Sequence, residues 1–365
     1  LAFMVDGLAQ TPACAPLRLE QRGRAGGLTL IVLLNALLNI VSLSFYRFWG
    51  RTKVRRYIWH NTYFMDEPLE YTGTGGELFK GFLVVFFLVI APIFVVNGVA
   101  QFYFGPESMV FMVINAATGV GIFFLIGVAV YRARRYRLSR TVWRGIRSGM
   151  NGSSVQYAWR MMLHQFLNVI TLGWSYPWMR YRLFIRVMNE TSLGDKTFCC
   201  KVSLAPLYRT FALIWTSMAI ALCVIAGLSW QLAPEIFNKG SWQEVQFGFM
   251  PVALIVVVYL GAAIGAAFYR AREINHFSKG TSFLGLSFET RVTAAGLIGL
   301  MLLNILTLAI TLGFGQPYTQ LRVFRFICDR LLITGELDPA WIEQSVAQVP
   351  SMGEGLADAF DIGEV

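Results

Sequence analysis

The sequence predicts an all-α polytopic membrane protein. It reads as seven apolar helices, arranged as two three-helix repeats plus a closing helix and joined at the cytoplasmic face by small turns or β-hairpins. Three observations predict this. Hydrophobic residues make up 56% of the 365 residues and charged residues only 14%, where a soluble domain carries about 25%. Seven apolar stretches contain no Asp or Glu. One helix-exit motif recurs three times. With a mean hydropathy of +0.54, the composition excludes a disordered chain, a collagen-like fibre and an ordinary soluble enzyme.

The elements follow in chain order. Residues 1–26 read as a cytoplasmic segment without an apolar core of signal-peptide length. The apolar stretches run over about 28–46, 81–104, 109–131, 157–176, 210–232, 247–269 and 292–314. Only the fourth carries strong polar groups, Arg160, His164 and Gln165. A first membrane repeat covers 27–154 and a second 155–291. A closing motif helix follows over 292–330, then an acidic tail over 331–365 that begins past the last basic residue, Arg330.

Charge tests the orientation. Lys and Arg collect on the cytoplasmic side of a membrane. Seven plain crossings divide the basic residues almost evenly. If stretches one, four and seven enter and leave on the same side, nearly every Lys and Arg becomes cytoplasmic and Lys239 is left outside. This reading has four crossings, three re-entrant or interfacial helices and both termini cytoplasmic. Stretch one is long enough to span, so seven crossings remain the alternative.

Those same three stretches share the motif. The first copy has Asn39, Tyr46 and Trp49, then Arg51, Lys53, Arg55 and Arg56. The second has Asn168, Gly173, Tyr176, Pro177 and Trp178, then Arg180, Arg182 and Arg186. The third has Asn304, Gly313, Pro317 and Tyr318, then Arg322 and Arg325. Gly and Pro bend or end a helix. Tyr46, Trp49, Tyr176, Trp178 and Tyr318 suit the headgroup zone as interface anchors. The Arg residues beyond them, with Arg132, Arg134 and Arg135, are candidate binders of lipid phosphates or organic anions. Asn39, Asn168 and Asn304 need partners inside the membrane, as do Arg160 and His164. Short Thr-led loops beginning at Thr62, Thr141, Thr191 and Thr281 read as turns or β-hairpins facing one compartment.

These residues resemble a known family. The Asn…Thr-Leu-Gly-x-x-Tyr-Pro-Trp-x-x-x-Arg signature is similar to that of a YjgN-like bacterial inner-membrane family, domain of unknown function 898. Tyr131-Arg-Ala-Arg-Arg-Tyr136, its echo Tyr269-Arg-Ala-Arg-Glu273, and the tail at 353–361 fit the same pattern, and the likeness covers about residues 25–363. Copy one departs from it with Ser44 in place of Gly, and copy three lacks the Trp. The resemblance implies a multi-pass protein of the bacterial inner membrane and supplies no activity, cofactor or catalytic residue.

The sequence offers little enzyme chemistry. His60, His164 and His276 have no paired metal-ligand spacing, and no GxSxG motif occurs. Five cysteines without CxxC point to neither a disulfide framework nor a zinc site. No metal, cofactor or catalysis is expected. The expected partner is the lipid bilayer through anionic headgroups, and nucleic acid is not expected because the basic residues sit between apolar stretches. The absence of carboxylates from the apolar stretches disfavours proton coupling of the usual kind. Two functions compete: a transporter- or channel-like protein with an anionic or lipid substrate, and a non-catalytic protein that organises membrane or binds anionic lipid. A lipid-modifying membrane enzyme ranks last.

Overall fold

A computed structural model describes residues 16–238 and 249–345, with side chains described except at 228–238 and 249–255. The expectations for Lys239 and for the tail beyond Ser345 lie outside the described residues.

The described chain begins with β1 (Leu19–Gln21), α1 (Ala25–Val41), α2 (Arg47–His60), β2 (Thr62–Phe64) and β3 (Glu67–Tyr71). Next, α3 (Gly75–Val85) runs through a π turn (Phe86–Ile90) into α4 (Ala91–Phe104), and α5 (Met109–Ser139) returns. Then come β4 (Thr141–Trp143), β5 (Ile146–Met150), α6 (Ser154–Ile170), α7 (Tyr176–Asn189), β6 (Thr191–Leu193), β7 (Lys196–Thr197) and β8 (Cys199–Cys200). The chain continues through α8 (Ala205–Asn238), α9 (Phe249–Lys279), β9 (Thr281–Phe283), β10 (Leu286–Thr290), α10 (Ala294–Ile310), α11 (Gln316–Cys328) and β11 (Leu331–Thr334). Helical hairpins therefore alternate with β-hairpins.

The all-α expectation is corrected at the loops, which are true strands joined into sheets. Seven strands run in the order β1 to β7, and four in the order β11-β10-β9-β8. The two sheets meet twice. The strand carrying β7 and β8 pairs with β6 through its first half and with β9 through its second. At the other end, Leu17, just ahead of β1, bridges Ile333 of β11. The strands thus close on themselves as a ring, which removes the open edges a flat sheet would leave.

Local chemistry explains the hairpins. Thr62, Thr141, Thr191 and Thr281 each donate a side-chain hydrogen bond to the carbonyl four residues back, at 2.7–2.8 Å, and so close the preceding helix. The turns then need two left-handed residues. They are Met65-Asp66, Arg144-Gly145 and Leu284-Gly285, all at positive φ, the geometry of two-residue hairpins. The interior of the ring holds Trp143, Phe283, Leu286 and Ile333, and the chain after β11 returns across it with Leu337 and Ile342 buried in the same cluster.

The helical hairpins come in two lengths. Gly75–Phe104 and Met109–Ser139 have 30 and 31 residues, and these two with Ala205–Gly227 are long and apolar enough to cross a membrane. By contrast α1, α6 and α10 have 17 residues each, about 25 Å at 1.5 Å per residue. Each of these three ends in the same turn. Leu43, Leu172 and Leu312 stand at φ 50°, and the next residues, Ser44, Gly173 and Gly313, donate their amides back to Asn39, Asn168 and Leu308 at 2.7–2.8 Å. This is a helix stop of the Schellman type with leucine in the left-handed position. Those leucines are 84%, 79% and 86% exposed, an arrangement suited to lipid rather than water.

Beyond the apolar helices the structure contains three basic ones, α2, α7 and α11, which follow the turns directly. Pro177 and Pro317 sit in the first turns of α7 and α11, so they start these helices and do not break the preceding ones. Close packing joins α5 to α6, where a Cβ on Gly127 would lie 2.9 Å from Ala158 Cα. Gly127→Leu is therefore expected to destabilise the protein by about 1–3 kcal/mol, read as a lower apparent melting temperature in detergent.

Candidate functional site

The second helix of every helical hairpin, α2, α5, α7, α9 and α11, contributes to cavities above the strand ring. One of about 550 Å³ is lined by Arg55, Ile58 and Trp59 of α2, Arg134 and Arg137 of α5, Asn304 and Leu308 of α10, and Gln316, Thr319, Gln320 and Phe324 of α11. Arg55 is buried and bonds the Tyr71 hydroxyl at 3.3 Å. Arg134 reaches the Met188 sulfur at 3.6 Å, and its buried Nε has no hydrogen-bond partner. Among the described residues, no Asp or Glu lines this cavity. A wall of three arginines, with the buried Arg134 Nε left without a partner, suits an anion.

A second cleft of about 280 Å³ lies between the α1/α2 hairpin and α11, and Gln316 and Gln320 line both spaces. Asn35, Asn39, Arg47 and Arg51 face it. The side-chain oxygens of Asn35 and Asn39 are buried without a hydrogen-bond partner, while Asn35 donates to the Gly50 carbonyl at 3.3 Å. Both oxygens can accept a hydrogen bond from a polar group that enters the cleft.

The turn geometry revises the intramembrane motif. Asn39 and Asn168 occupy the same position relative to their turns, and Leu308 stands there in the third copy. Asn304 lies one helical turn earlier, level with Asn35 and His164. Residues four apart share a helix face, which is why a search for a mid-helix Asn joined two registers into one motif. Asn304 accepts from Arg322 at 2.8 Å. Asn168 accepts from the Ser175 hydroxyl at 3.4 Å. His164 packs edge-on against Trp178 with centroids 4.4 Å apart, and Arg160 is exposed.

The basic candidates divide by direction. Lys53, Arg132 and Arg182 are exposed, with Lys53 on the Tyr46 hydroxyl at 2.6 Å and Arg182 over the Trp178 ring. Arg56 bonds the Gly73 carbonyl at 2.8 Å, and Arg325 bonds the Gly23 carbonyl. Arg186 pairs with Glu190 at 2.9 Å and with Gln156 at 3.0 Å. Arg135 is half-buried. Arg180 turns inward to Glu273 at 2.7 Å instead of facing lipid. The anchors hold neighbouring elements: Tyr46 stacks on Trp49, Tyr176 on Phe211, and the Tyr318 hydroxyl reaches Thr29 at 2.9 Å.

Sequence reasoning missed Glu273, which is fully buried between Arg180 and Arg270. The available signal was the sign reversal between Arg135 and Glu273 in the two Tyr-Arg-Ala-Arg segments. Glu77 accepts from Tyr136 at 2.6 Å and Arg140 at 3.0 Å, while its amide is capped by Thr74. The histidines make separate contacts, and His276 meets the Ser203 carbonyl at 2.7 Å. Among the described residues no three His, Cys, Asp or Glu side chains form a metal-ligand group.

The family described as "Bacterial protein of unknown function (DUF898)" matches residues 16–359. The chain belongs to this family. The match takes in every described helical and β-hairpin, so the residues of the strand ring and its cavities lie within the matched range. Two relatives bear the name inner membrane protein YjgN. The one from Salmonella typhimurium is 21% identical over 370 residues, covering 87% of this chain and 88% of its own length. The one from Escherichia coli O157:H7 is 20% identical over 355 residues, covering 85% and 86%. No solved structure matches the chain.

The adjacent thiols are separable. Cys199 is exposed, whereas burial pushes the Cys200 thiol up from its ordinary value. Since the thiolate is the reactive form, maleimide at neutral pH is expected to modify Cys199 and spare Cys200, read by tandem mass spectrometry.

Proposed function

We propose that this DUF898 protein is a bacterial inner-membrane protein of transporter or channel type that takes an anion into the chamber between α2, α5 and α11. The observation that carries the reading is Arg134. Its guanidinium lines a 550 Å³ cavity with a buried, unpartnered Nε, beside Arg55 and Arg137. Burying a cation without a compensating group is costly, and an anionic ligand offsets that cost. No step of bond chemistry is assigned.

The proposed topology has four crossings, by α3–α4, α5, α8 and α9, and three re-entrant hairpins. All helical hairpins rise from one strand ring, and the three short ones end in exposed leucine tips. The ring, the basic helices and both termini are then cytoplasmic, the arrangement that the charge distribution favours over seven plain crossings. Gln316 and Gln320 line both the inter-hairpin cleft and the chamber, so the two spaces adjoin.

Liposomes holding the purified protein are expected to pass small organic anions, with flux lowered at least tenfold by Arg134→Gln. Protein-dependent flux absent for every anion tried, or unaltered by Arg134→Gln, defeats the proposal. A second reading, an anionic-lipid-binding membrane organiser, draws on the exposed Lys53, Arg132 and Arg182 beside interface aromatics. Binding to anionic vesicles that falls when these three are neutralised, with no flux, would select it.

A further inference from the structure

A separate cavity of about 300 Å³ lies between α7 and α9, against β9, β10 and β11. Its walls are strongly apolar, with Phe184, Met188, Phe198, Ile274, Phe277 and Phe288 among them. Phe184 and Phe277 stack across the gap at 4.1 Å. One end is ionic. Glu273, with a side chain 1% exposed, takes Arg180 Nε on one carboxylate oxygen at 2.7 Å and Arg270 on the other at 2.5 Å.

This trio is built in a particular way. A buried carboxylate between two guanidiniums leaves one net positive charge. Each guanidinium carries five N–H donors in a rigid fork, and Glu273 engages one from each arginine in the contacts above. The carboxylate fixes both forks at the rim of the apolar space, and the side chains of Arg180 and Arg270 are 32% and 48% exposed. A neutral hydrocarbon would leave the positive charge unanswered. A small hydrophilic anion would leave the phenylalanines unfilled. A molecule with one negative head and one apolar body satisfies both ends.

We infer that the α7–α9 cavity binds a single-chain amphiphile with a monoanionic head, carboxylate or phosphate, held by Arg180 and Arg270 with its chain among Phe184, Phe198, Ile274 and Phe277. The space of about 300 Å³ is at the lower limit of ligand pockets and admits roughly ten non-hydrogen groups, at the ~30 Å³ a water molecule occupies in the liquid. The chain accepted is therefore short, near ten carbons. This site does not depend on the anion chamber described above, and it is tested without any flux.

The test uses the full chain in a non-ionic amphipol, free of detergent and added lipid, with decanoate as the probe in isothermal titration calorimetry. Its heat should saturate at one decanoate per protein. Decyl phosphate should displace it, and decanol should compete at least tenfold more weakly. The two anions separate a fatty-acid source from a phosphate-headed one, and binding of either supports the assignment. Arg270→Gln should reduce decanoate affinity at least tenfold and leave decanol unchanged. Ile274→Trp should shorten the longest chain accepted while keeping the preference for an anionic head, a shift that mere loosening of the fold would not produce. A probe signal that does not saturate, decanol binding as well as decanoate, or Arg270→Gln and Ile274→Trp both binding like the parent protein, each overturns the assignment.

Discussion

Glu273→Leu is expected to destabilise the protein by about 3–5 kcal/mol, the cost of removing one partner from a buried ionic cluster. Glu273 is fully buried, with Arg180 and Arg270 on its two oxygens. Without the carboxylate, two guanidiniums face each other beside the ring of Phe277, and neither has the anion that held it. Glu273→Gln keeps the shape and one acceptor oxygen, so its cost should be smaller, about 1–3 kcal/mol. Adding Arg180→Leu to Glu273→Leu removes one of the stranded charges and should recover part of the loss, a coupling that a double-mutant cycle measures directly. The observable is the apparent melting temperature in one fixed detergent. Glu273→Leu melting within a degree of the parent would mean that the trio contributes nothing to holding α7 against α9.

What was legible in the sequence follows the strength of the local signal. The apolar stretches were plain because seven acid-free runs have few alternative explanations, and each lies on a helix. The Thr-led loops were recognisable because a hydroxyl that caps the preceding helix and a two-residue positive-φ turn both leave residue-type signatures, as at Thr141, Arg144 and Gly145. Ring closure left none. It depends on Leu17 meeting Ile333, a pairing across almost the whole chain that no local pattern encodes. The basic helices are hard to read from sequence, since α2 has little apolar stripe of its own and gains its buried face from α1, α3, α5 and α11. The candidate site was half visible. Residue type marked Arg55, Arg134 and Arg180 as anion binders, but whether an arginine faces lipid or the chamber is a matter of helix rotation. Lys53 points outward and Arg55 is buried although only one residue separates them. Glu273 was hidden because a single carboxylate among arginines looks like a surface charge until α7 is placed beside it.

The largest effect outside the ionic trio is expected where the chain recrosses the strand ring. Leu337 and Ile342 are 7% and 5% exposed and pack with Trp143, Phe283, Leu286 and Ile333, residues contributed by two different hairpins and β11. Truncating either to alanine is expected to cost about 2–5 kcal/mol, and the two should not add fully because they share neighbours. The segment is also latched. The Asp195 amide donates to the Glu343 carbonyl, the Glu343 amide returns to the Asp195 carboxylate at 3.0 Å, and the Arg147 amide donates to the Gln344 side chain at 2.9 Å. Asp195 is held below the usual carboxylate range, first by Lys196 at 2.5 Å and then by the Glu343 amide. A carboxylate depressed by folding contributes fully above its unfolded value of about 3.9, and the contribution is lost as pH falls through the folded value. The latch should therefore hold between about pH 6 and 8 and loosen below about pH 4. Pepsin, which works at low pH, should release the C-terminal segment faster as the pH is lowered through that range, and Asp195→Asn should flatten the profile. Leu337→Ala with Ile342→Ala should speed release at neutral pH by trypsin-independent proteases such as subtilisin and lower the apparent melting temperature together. Faster release without a change in melting would make the segment a detachable cover, and unchanged release and melting would show that the ring keeps its core without it.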